Sequence, residues 1–272
     1  MSVRGKTIII TGGAQGVGRY IARTFADEGA KVVIADIAPM DAVIGEIEPT
    51  GAEYLAVRTN VTDEGSVRAL MNQVYQRWGR IDVLINNAGI VTHFHTGAPR
   101  WPRIRDMERA FFQKVVDTNL VGTFLCTKHA LPYMESCNDG HIINVGQGNL
   151  TVRRPEGSGG IGTAVYATTK IAIRAFTKCM ADEEREFYIC ILSMGPGDPI
   201  SGTPRQRQVG RGIPGAGGGI ITADSPEWSR SNPGSTTVED IGNRYVLAAE
   251  APMELTGHQV VVRDGKLEPA DD

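Results

Sequence analysis

Short apolar runs alternate with stretches of helical periodicity along most of the chain. Seven runs have the length of strands and are apolar on both faces: Lys6–Thr11, Lys31–Asp36, Glu53–Thr59, Ile81–Asn87, His141–Val145, Tyr188–Ser193 and His258–Arg263. Apolar side chains recur at helical spacing in Val17–Gly29, Asp63–Gly79, Asp106–Cys137 and Ala164–Glu186. Strands that alternate with helices and are buried on both faces predict an α/β fold with a parallel, doubly wound sheet.

Two regions depart from this alternation. Residues 91–105 are rich in proline, glycine and aromatic residues, and Asp198–Gly234 is a long segment without clear periodicity. A long loop inside a compact domain is usually either a lid over a binding site or a disordered surface insertion, and the glycines of this segment suit the hinge motion of a lid. We therefore predict a single domain, residues 1–272, with a substrate lid around residues 198–235.

Composition and charge narrow the class of protein. The net charge is −3 and the pI is about 6.0, which argues against nucleic acid or an anionic membrane as a partner. No apolar run approaches the roughly 20 residues of a membrane span, and the N-terminus does not resemble a signal peptide. The four cysteines lack a CxxC spacing and are predicted to be buried and free of disulfides, which favours a cytoplasmic protein.

A glycine-rich loop, TGGAQGVG, connects the first predicted strand to the first predicted helix. Glycines allow positive φ angles and close approach of the backbone to a pyrophosphate, whose charge is favoured by a helix N-terminus. The spacing is GxxxGxG rather than the common GxGxxG. The predicted nucleotide contacts in this loop are Gly12, Gln15, Gly16, Val17 and Gly18.

Asp36 ends the second predicted strand, about 20 residues after the loop. A carboxylate at this position can accept hydrogen bonds from both hydroxyls of a ribose, and it repels a 2′-phosphate. No arginine or lysine lies in the loop before Gly18 or follows Asp36 closely. The sequence therefore predicts NAD(H) as the cofactor in preference to NADP(H).

Tyr166 and Lys170 are four residues apart and lie on one face of a predicted helix. A free phenol has a pKa of about 10 and is a poor base near neutral pH. A nearby ammonium group favours the phenolate, so the pair can exchange a proton with a substrate. The pair predicts general acid–base chemistry on an alcohol or carbonyl group.

These motifs together resemble the short-chain dehydrogenase/reductase family in its single-domain form. The resemblance extends from Gly5 to Gly265 and rests on TGGAQGVG, Asp36, NNAG, Asn119, YATTK and the PG of MGPGDP. It implies a Rossmann-type sheet of about seven strands and hydride transfer between a nicotinamide and an alcohol or carbonyl. The family often forms tetramers, which implies a homotetramer or homodimer here.

The resemblance also implies roles for individual residues. Tyr166 transfers the proton, Lys170 holds the nicotinamide ribose, and Asn119 anchors a water that extends the proton relay. Asn60 stands where the family has an acidic residue beside the adenine, and its side-chain oxygen can accept from an adenine amine. The remaining cofactor contacts implied are Val61, Asn87, Ala88, Gly89, Pro196, Gly197 and either Ser201 or Thr203.

Gln147 occupies the position of the family's catalytic serine, directly after the strand His141–Val145. Three interpretations remain open. The glutamine amide orients the substrate oxygen itself; a hydroxyl from Thr151, Ser158 or Thr163 replaces the serine; or the site has lost ordinary dehydrogenase activity. The replacement is also compatible with a redox-neutral isomerase or lyase on this fold.

Three further residues are candidates for substrate contact. His93 and His95 lie in the irregular loop, and Arg153 follows Gln147 in a segment longer than the family usually has. No cysteine or aspartate accompanies the two histidines, so a metal site is not predicted.

Overall fold

A computed structural model describes residues 2–90, 102–146, 164–195 and 238–270 of the chain. The predicted lid, both histidines of the irregular loop and the Gln147–Thr163 segment lie outside the described residues. The described strands all join one sheet, and the single-domain interpretation stays a prediction.

The sheet has eight strands in the order β3-β2-β1-β4-β5-β6-β7-β8. All neighbours pair in parallel except β7 and β8, which are antiparallel. The order reverses direction at β1 and β4, which is where a doubly wound fold binds its ligand. The strands are β1 Thr7–Thr11, β2 Lys31–Asp36, β3 Tyr54–Arg58, β4 Val83–Asn86, β5 Gly140–Val145, β6 Ile189–Met194, β7 Gln259–Arg263 and β8 Lys266–Pro269.

Helices cover both faces of this sheet, as the apolar strands require. One core cluster joins the sheet to α1, α2 and α7, and the other joins it to α3, α5 and α6. The predicted parallel, doubly wound α/β architecture is therefore confirmed. The helices are α1 Gly16–Asp27, α2 Asp41–Ile47, α3 Glu64–Trp78, α4 Arg109–Val116, α5 Gly122–Glu135, α6 Ala164–Glu183 and α7 Val238–Ala249.

The strand β8 was not predicted from the sequence. It pairs with β7 through a two-residue turn, Asp264–Gly265, whose φ angles are both positive at 49° and 72°. An Asp-Gly pair between two short strands is a strong hairpin signal because it accepts this backbone geometry at little cost. The prediction missed the hairpin because it relied on apolar runs, and β8 has leucine as its single apolar side chain apart from proline.

Two helices, α2 and α7, were also not predicted. In α7, the buried residues Ile241, Tyr245 and Ala248 recur at helical spacing, so the signal was present in the sequence. This helix packs closely on α1: a Cβ added to Gly242 would lie 1.8 Å from Thr24 Oγ1. The contact explains why the helix carries a glycine in its interior despite the cost in helix propensity.

The long helix predicted over Asp106–Cys137 is interrupted in its middle. A turn of π-helix, Asp117–Val121, separates α4 from α5. Single π turns inside α-helices are frequent at functional sites. Here the turn carries Asn119, which is completely buried.

The prediction that the cysteines are free of disulfides is confirmed, and the prediction that they are buried is correct for two of the four. All four cysteines are free, but Cys137 and Cys179 are exposed, whereas Cys126 and Cys190 are buried. Among the described residues, no helix combines the length and the apolar character needed to cross a membrane.

Candidate active site

The glycine loop is held by Asn87 and Ala88, the two residues that follow β4. The Asn87 amide donates to the carbonyl oxygens of Thr11 (3.0 Å) and Gly12 (3.1 Å). In return, Thr11 Oγ1 accepts from the backbone N–H groups of Asn87 and Ala88, each at 3.1 Å. These bonds join the loop after β1 to the end of β4, across the point where the strand order reverses.

Close packing explains two of the three predicted glycines. Gly12 has a φ of +68°, and a Cβ there would lie 2.8 Å from Ala88 Cα. A Cβ on Gly18 would lie 2.2 Å from Gly12 O and 2.5 Å from Asn87 Nδ2. The loop and the first turn of α1 therefore fit together only without side chains at these positions.

Gly16 has a different environment. Its φ is +57°, and no atom of the described residues lies within 4 Å of the Cβ position. It begins α1, directly after Gln15 and before Val17, and the N–H groups of the first turn of a helix have no partner within the helix. A backbone cradle at a helix N-terminus suits a pyrophosphate.

Asp36 ends β2 and is buried, with 7% of its surface exposed. Its Oδ2 accepts from Ala14 N–H at 3.0 Å, and its Oδ1 accepts from Ala38 N–H at 2.9 Å. Each carboxylate oxygen keeps a further lone pair. The residue therefore fits the predicted role of accepting from two ribose hydroxyls beside the cradle.

Asn60 and Val61 follow β3 at the same edge of the sheet. Val61 is buried beneath α5, where a Cβ on Gly122 would lie 2.8 Å from its Cγ2. Asn60 is exposed, and its Oδ1 accepts from Thr62 N–H (3.1 Å) and Thr62 Oγ1–H (2.9 Å). This oxygen caps the turn after β3, and its predicted acceptance from an adenine amine stays a prediction.

Asn119 connects three elements through its side chain. Its Oδ1 accepts from Ile90 N–H at 2.7 Å, and its Nδ2 donates to Ile90 O (3.2 Å) and Thr169 Oγ1 (3.1 Å). Gly89 packs against it, since a Cβ there would lie 3.3 Å from Asn119 Oδ1. Both amide hydrogens are used, so the side chain positions the end of β4 against α6; a relay role through bound water stays a prediction.

The predicted proton-transfer pair lies at the end of β5. Lys170 is fully buried in the core of the site, and its Nζ donates to Val145 O at 2.5 Å. The same Nζ lies 5.7 Å from the centre of the Tyr166 ring. The structure therefore brings Tyr166, Lys170 and the strand that precedes Gln147 together.

Burial shifts the pKa of both groups. It lowers the pKa of the Lys170 ammonium to about 8 and raises the pKa of the Tyr166 phenol to about 12, although Tyr166 keeps some contact with solvent. In this environment the neutral phenol is favoured at neutral pH. The phenol is thus a proton donor as the structure stands, and proton abstraction needs a further positive charge beside it.

The lowered pKa of Lys170 predicts a pH dependence of stability. Between about pH 8 and pH 10.5 the folded state binds fewer protons at this lysine than the unfolded state, so the free energy of unfolding contributed by Lys170 rises with pH. The full change is on the order of 3 kcal/mol. Urea titrations measure the free energy of unfolding of the wild type and of Lys170→Met. We expect the stability advantage of the wild type over this variant to rise across this pH window.

The wild type and the variant must be compared at each pH, because the buried thiols change the free energy of unfolding in the opposite direction. Burial raises the pKa of Cys126 and Cys190 to about 12, which lowers stability as pH rises above the ordinary thiol range. Lys178→Met, at an exposed position two turns along α6, is the matched control for the loss of a lysine from this helix. A rise for Lys170→Met that does not exceed the change measured for Lys178→Met would contradict the assignment.

Several predicted site residues lie outside the described residues. They are Gln147, His93, His95, Arg153, Pro196, Gly197, Ser201 and Thr203, together with the alternative hydroxyls of Thr151, Ser158 and Thr163. The residue before Gln147 is described: a Cβ on Gly146 would lie 2.3 Å from Ser193 Oγ, so this strand end is crowded. Among the described residues, no group of three or more His, Cys, Asp or Glu side chains is arranged to hold a metal ion.

Sequence reasoning missed the role of Thr11, which was assigned to the first strand and the glycine-rich motif but to no contact. Its hydroxyl accepts from the backbone of Asn87 and Ala88 and so anchors NNAG to the loop. The available signal was its position beside the predicted Gly12.

Fold and site together define a doubly wound α/β protein with a glycine-rich loop at its switch point and a tyrosine–lysine pair at the same edge of the sheet. A family model for short chain dehydrogenases matches residues 6–211. The chain belongs to the short-chain dehydrogenase family, as the sequence motifs predicted, and it is an oxidoreductase of that family.

Individual relatives agree with this assignment. The chain is 29% identical over 273 residues to secoisolariciresinol dehydrogenase of Forsythia intermedia, covering 97% of this chain and 89% of the relative. It is 35% identical over 202 residues to momilactone A synthase of Oryza sativa subsp. japonica, covering 72% of this chain and 69% of the relative. The crystal structure of a putative short-chain dehydrogenase/reductase from Burkholderia xenovorans superposes with a TM-score of 0.77 at 27% identity, covering 97% of both chains.

Proposed function

We propose that this oxidoreductase uses NAD(H) and transfers hydride between the nicotinamide and an alcohol or carbonyl substrate. The observation that carries the proposal is that the Tyr166 ring lies beside the buried Lys170 ammonium at the end of β5, on the sheet edge that also holds the glycine-rich loop. The bound nicotinamide supplies the site at which hydride is accepted or donated. The protein's own residues bind the cofactor, orient the substrate and transfer the proton.

The residues divide into binding and proton transfer. The open backbone at Gly16 and the carboxylate of Asp36 fit a pyrophosphate and an adjacent ribose. Tyr166 holds the proton that passes to or from the substrate oxygen. Lys170 keeps positive charge close to the phenol, at a distance of 5.7 Å from its ring centre.

Gln147 completes the proposed site. It follows Gly146, two residues after the carbonyl that Lys170 contacts, and an amide offers one donor group and one acceptor. A donor to a developing oxyanion is worth about 2.7–4 kcal/mol in enzymes that use one. We propose that the Gln147 amide orients the substrate oxygen in place of the family's serine.

The cofactor preference has its own test. NADH should bind at least about tenfold more tightly than NADPH, because a 2′-phosphate beside the buried Asp36 carboxylate is repelled. Asp36→Asn should reduce the preference for NADH over NADPH by weakening NADH binding. Fluorescence titration with each dinucleotide measures the two dissociation constants.

Asp41→Asn is the matched control, because Asp41 is exposed at the start of α2 and the substitution removes the same charge. It should leave the ratio unchanged. Equal affinities for the two dinucleotides in the wild type would rule out the proposed preference.

Turnover is tested with a panel of primary and secondary alcohols and NAD⁺, followed by the appearance of NADH. Oxidation of at least one class of alcohol is the expected result. Tight binding of NADH without oxidation of any alcohol or reduction of any carbonyl would contradict the proposed reaction.

We also keep self-association as a proposal. Phe112, Phe124 and Ile171, on α4, α5 and α6, expose 37%, 43% and 47% of their surfaces. Exposed apolar side chains on neighbouring helices suit a contact with a second copy of the chain. A cytoplasmic location remains an expectation from the sequence.

A further inference from the structure

Lys170 differs from the other lysines of the described residues in its surroundings. It is buried, with 3% of its surface exposed, whereas every other lysine in the described ranges is partly or fully exposed. Its Nζ donates to a neutral backbone carbonyl, Val145 O, and no carboxylate of the described residues forms an ion pair with it. Desolvation without an anionic partner disfavours the ammonium form relative to the neutral amine.

The neutral amine is a substantial fraction of Lys170 near neutral pH. Burial lowers the pKa of this lysine to about 8, so about a quarter of it is uncharged at about pH 7.5. An ordinary lysine, with a pKa of about 10.4, has roughly 0.1% in that form. The neutral amine is therefore on the order of 10²-fold more abundant at Lys170, while the remaining ammonium still supplies the positive charge beside Tyr166.

The contacts of Lys170 leave its amine able to react. Donation to Val145 O at 2.5 Å uses one hydrogen, and the lone pair of a neutral amine then points away from this carbonyl. The Nζ lies 5.7 Å from the centre of the Tyr166 ring. Burial raises the pKa of the Tyr166 phenol to about 12, so it is protonated at neutral pH, and this side chain keeps some contact with solvent. A nucleophilic amine beside a neutral acid is the combination that condensation with a carbonyl group requires.

We propose that Lys170 is a covalent site for small aldehydes in the cofactor-free protein. The Nζ lone pair attacks the carbonyl carbon and a C–N bond forms; Tyr166 gives a proton to the carbonyl oxygen and recovers one from the nitrogen, which yields a carbinolamine. Tyr166 then protonates the hydroxyl, the C–O bond breaks, water leaves, and the nitrogen returns its second proton. The product is an imine plus water, with no change of oxidation state. The inference rests on the proposed function for the entry of carbonyl compounds, and it needs no cofactor.

An adduct at Lys170 competes with the dinucleotide. The resemblance to the family implies that Lys170 holds the nicotinamide ribose, so an imine occupies the nitrogen that the ribose needs. Bound dinucleotide is therefore expected to protect Lys170 from aldehydes.

The test traps the imine by reduction. The wild-type protein, freed of dinucleotide, is incubated with propanal and sodium cyanoborohydride at about pH 7.5, where the two lysine populations differ most usefully. Peptide mass spectrometry measures N-propyl-lysine at each position over time. Labelling of Lys170 is expected to be at least about tenfold faster than labelling of Lys178, which is exposed on the same helix. A smaller excess at Lys170 overturns the proposal.

Tyr166→Phe tests the acid that the condensation uses. The variant keeps the ring beside Lys170 and removes the phenolic proton, so labelling of Lys170 should slow by about tenfold or more. Tyr188→Phe, at a position that is 67% exposed, is the matched control and should leave the labelling rate unchanged. Labelling of Lys170 at the wild-type rate in Tyr166→Phe overturns the part of the reaction assigned to the phenol.

Labelling in the presence of NADH separates this inference from the proposed function. NADH is expected to slow the labelling of Lys170 and to leave that of Lys178 unchanged. Selective labelling of Lys170 that NADH does not slow supports the aldehyde site and counts against the proposed position of the cofactor. Conversely, a wild type that binds NADH and oxidises an alcohol but shows no selective labelling of Lys170 overturns the aldehyde site alone.

Discussion

Tyr166→Phe is expected to reduce the turnover number by about 10³-fold or more while the dissociation constant of NADH changes little. A correctly placed proton donor or acceptor contributes roughly 10²–10⁴ in rate. Phenylalanine keeps the ring that lies beside Lys170 and removes only the hydroxyl. Steady-state kinetics on the best alcohol of the panel, with fluorescence titration of NADH, measures both quantities.

Tyr188→Phe is the matched control, because Tyr188 is 67% exposed and lies outside the site. It should retain wild-type turnover. Activity that survives in Tyr166→Phe at more than about a tenth of the wild-type rate would mean that another group transfers the proton.

Gly18→Ala should weaken dinucleotide binding strongly and lower the free energy of unfolding by about 1–3 kcal/mol. The added methyl group would lie 2.2 Å from Gly12 O, so the loop or α1 must move apart. Movement of either element separates the cradle from the Asn87 side chain that holds it. Urea unfolding and NADH titration measure the two effects.

Gly45→Ala is the control that separates the steric clash at Gly18 from the effect of helix propensity on stability. Gly45 is also inside a helix, α2, but it is exposed, and no atom in the described part of the chain lies within 4 Å of its Cβ position. Helix propensity alone favours alanine by up to about 1 kcal/mol at both sites. A stabilising Gly45→Ala with a destabilising Gly18→Ala identifies the clash; equal effects would show that the close approach is relieved at little cost.

Local sequence was sufficient where a structural element depends on its own residues. The seven parallel strands are apolar because helices cover both faces, so composition alone revealed them. The glycine loop and Asp36 were found because their spacing follows from one strand–helix–strand unit. The hairpin turn Asp264–Gly265 and the spacing within α7 were equally local, and their omission reflects an emphasis on apolar runs.

Other features depend on residues that are distant in the chain. Strand register puts Asn86 opposite Asn144, and Asn144 opposite Ser193, as a buried polar row across β4, β5 and β6. Asn86 Nδ2 donates to Asn144 Oδ1 at 2.9 Å, although 58 positions separate the two residues. No periodicity within a single strand reveals such a pairing, because register is set by the packing of the whole sheet.

The sequence by itself determined the fold class, the family and the chemical types in the site. Only the tertiary structure decided how those types behave. It buries Lys170 and so lowers its pKa to about 8, and it joins Asn119 to Ile90 and Thr169. It also engages the Asn60 side-chain oxygen with Thr62. These properties arise from desolvation and from hydrogen-bond partners supplied by other elements, which is why a residue's identity and spacing do not contain them.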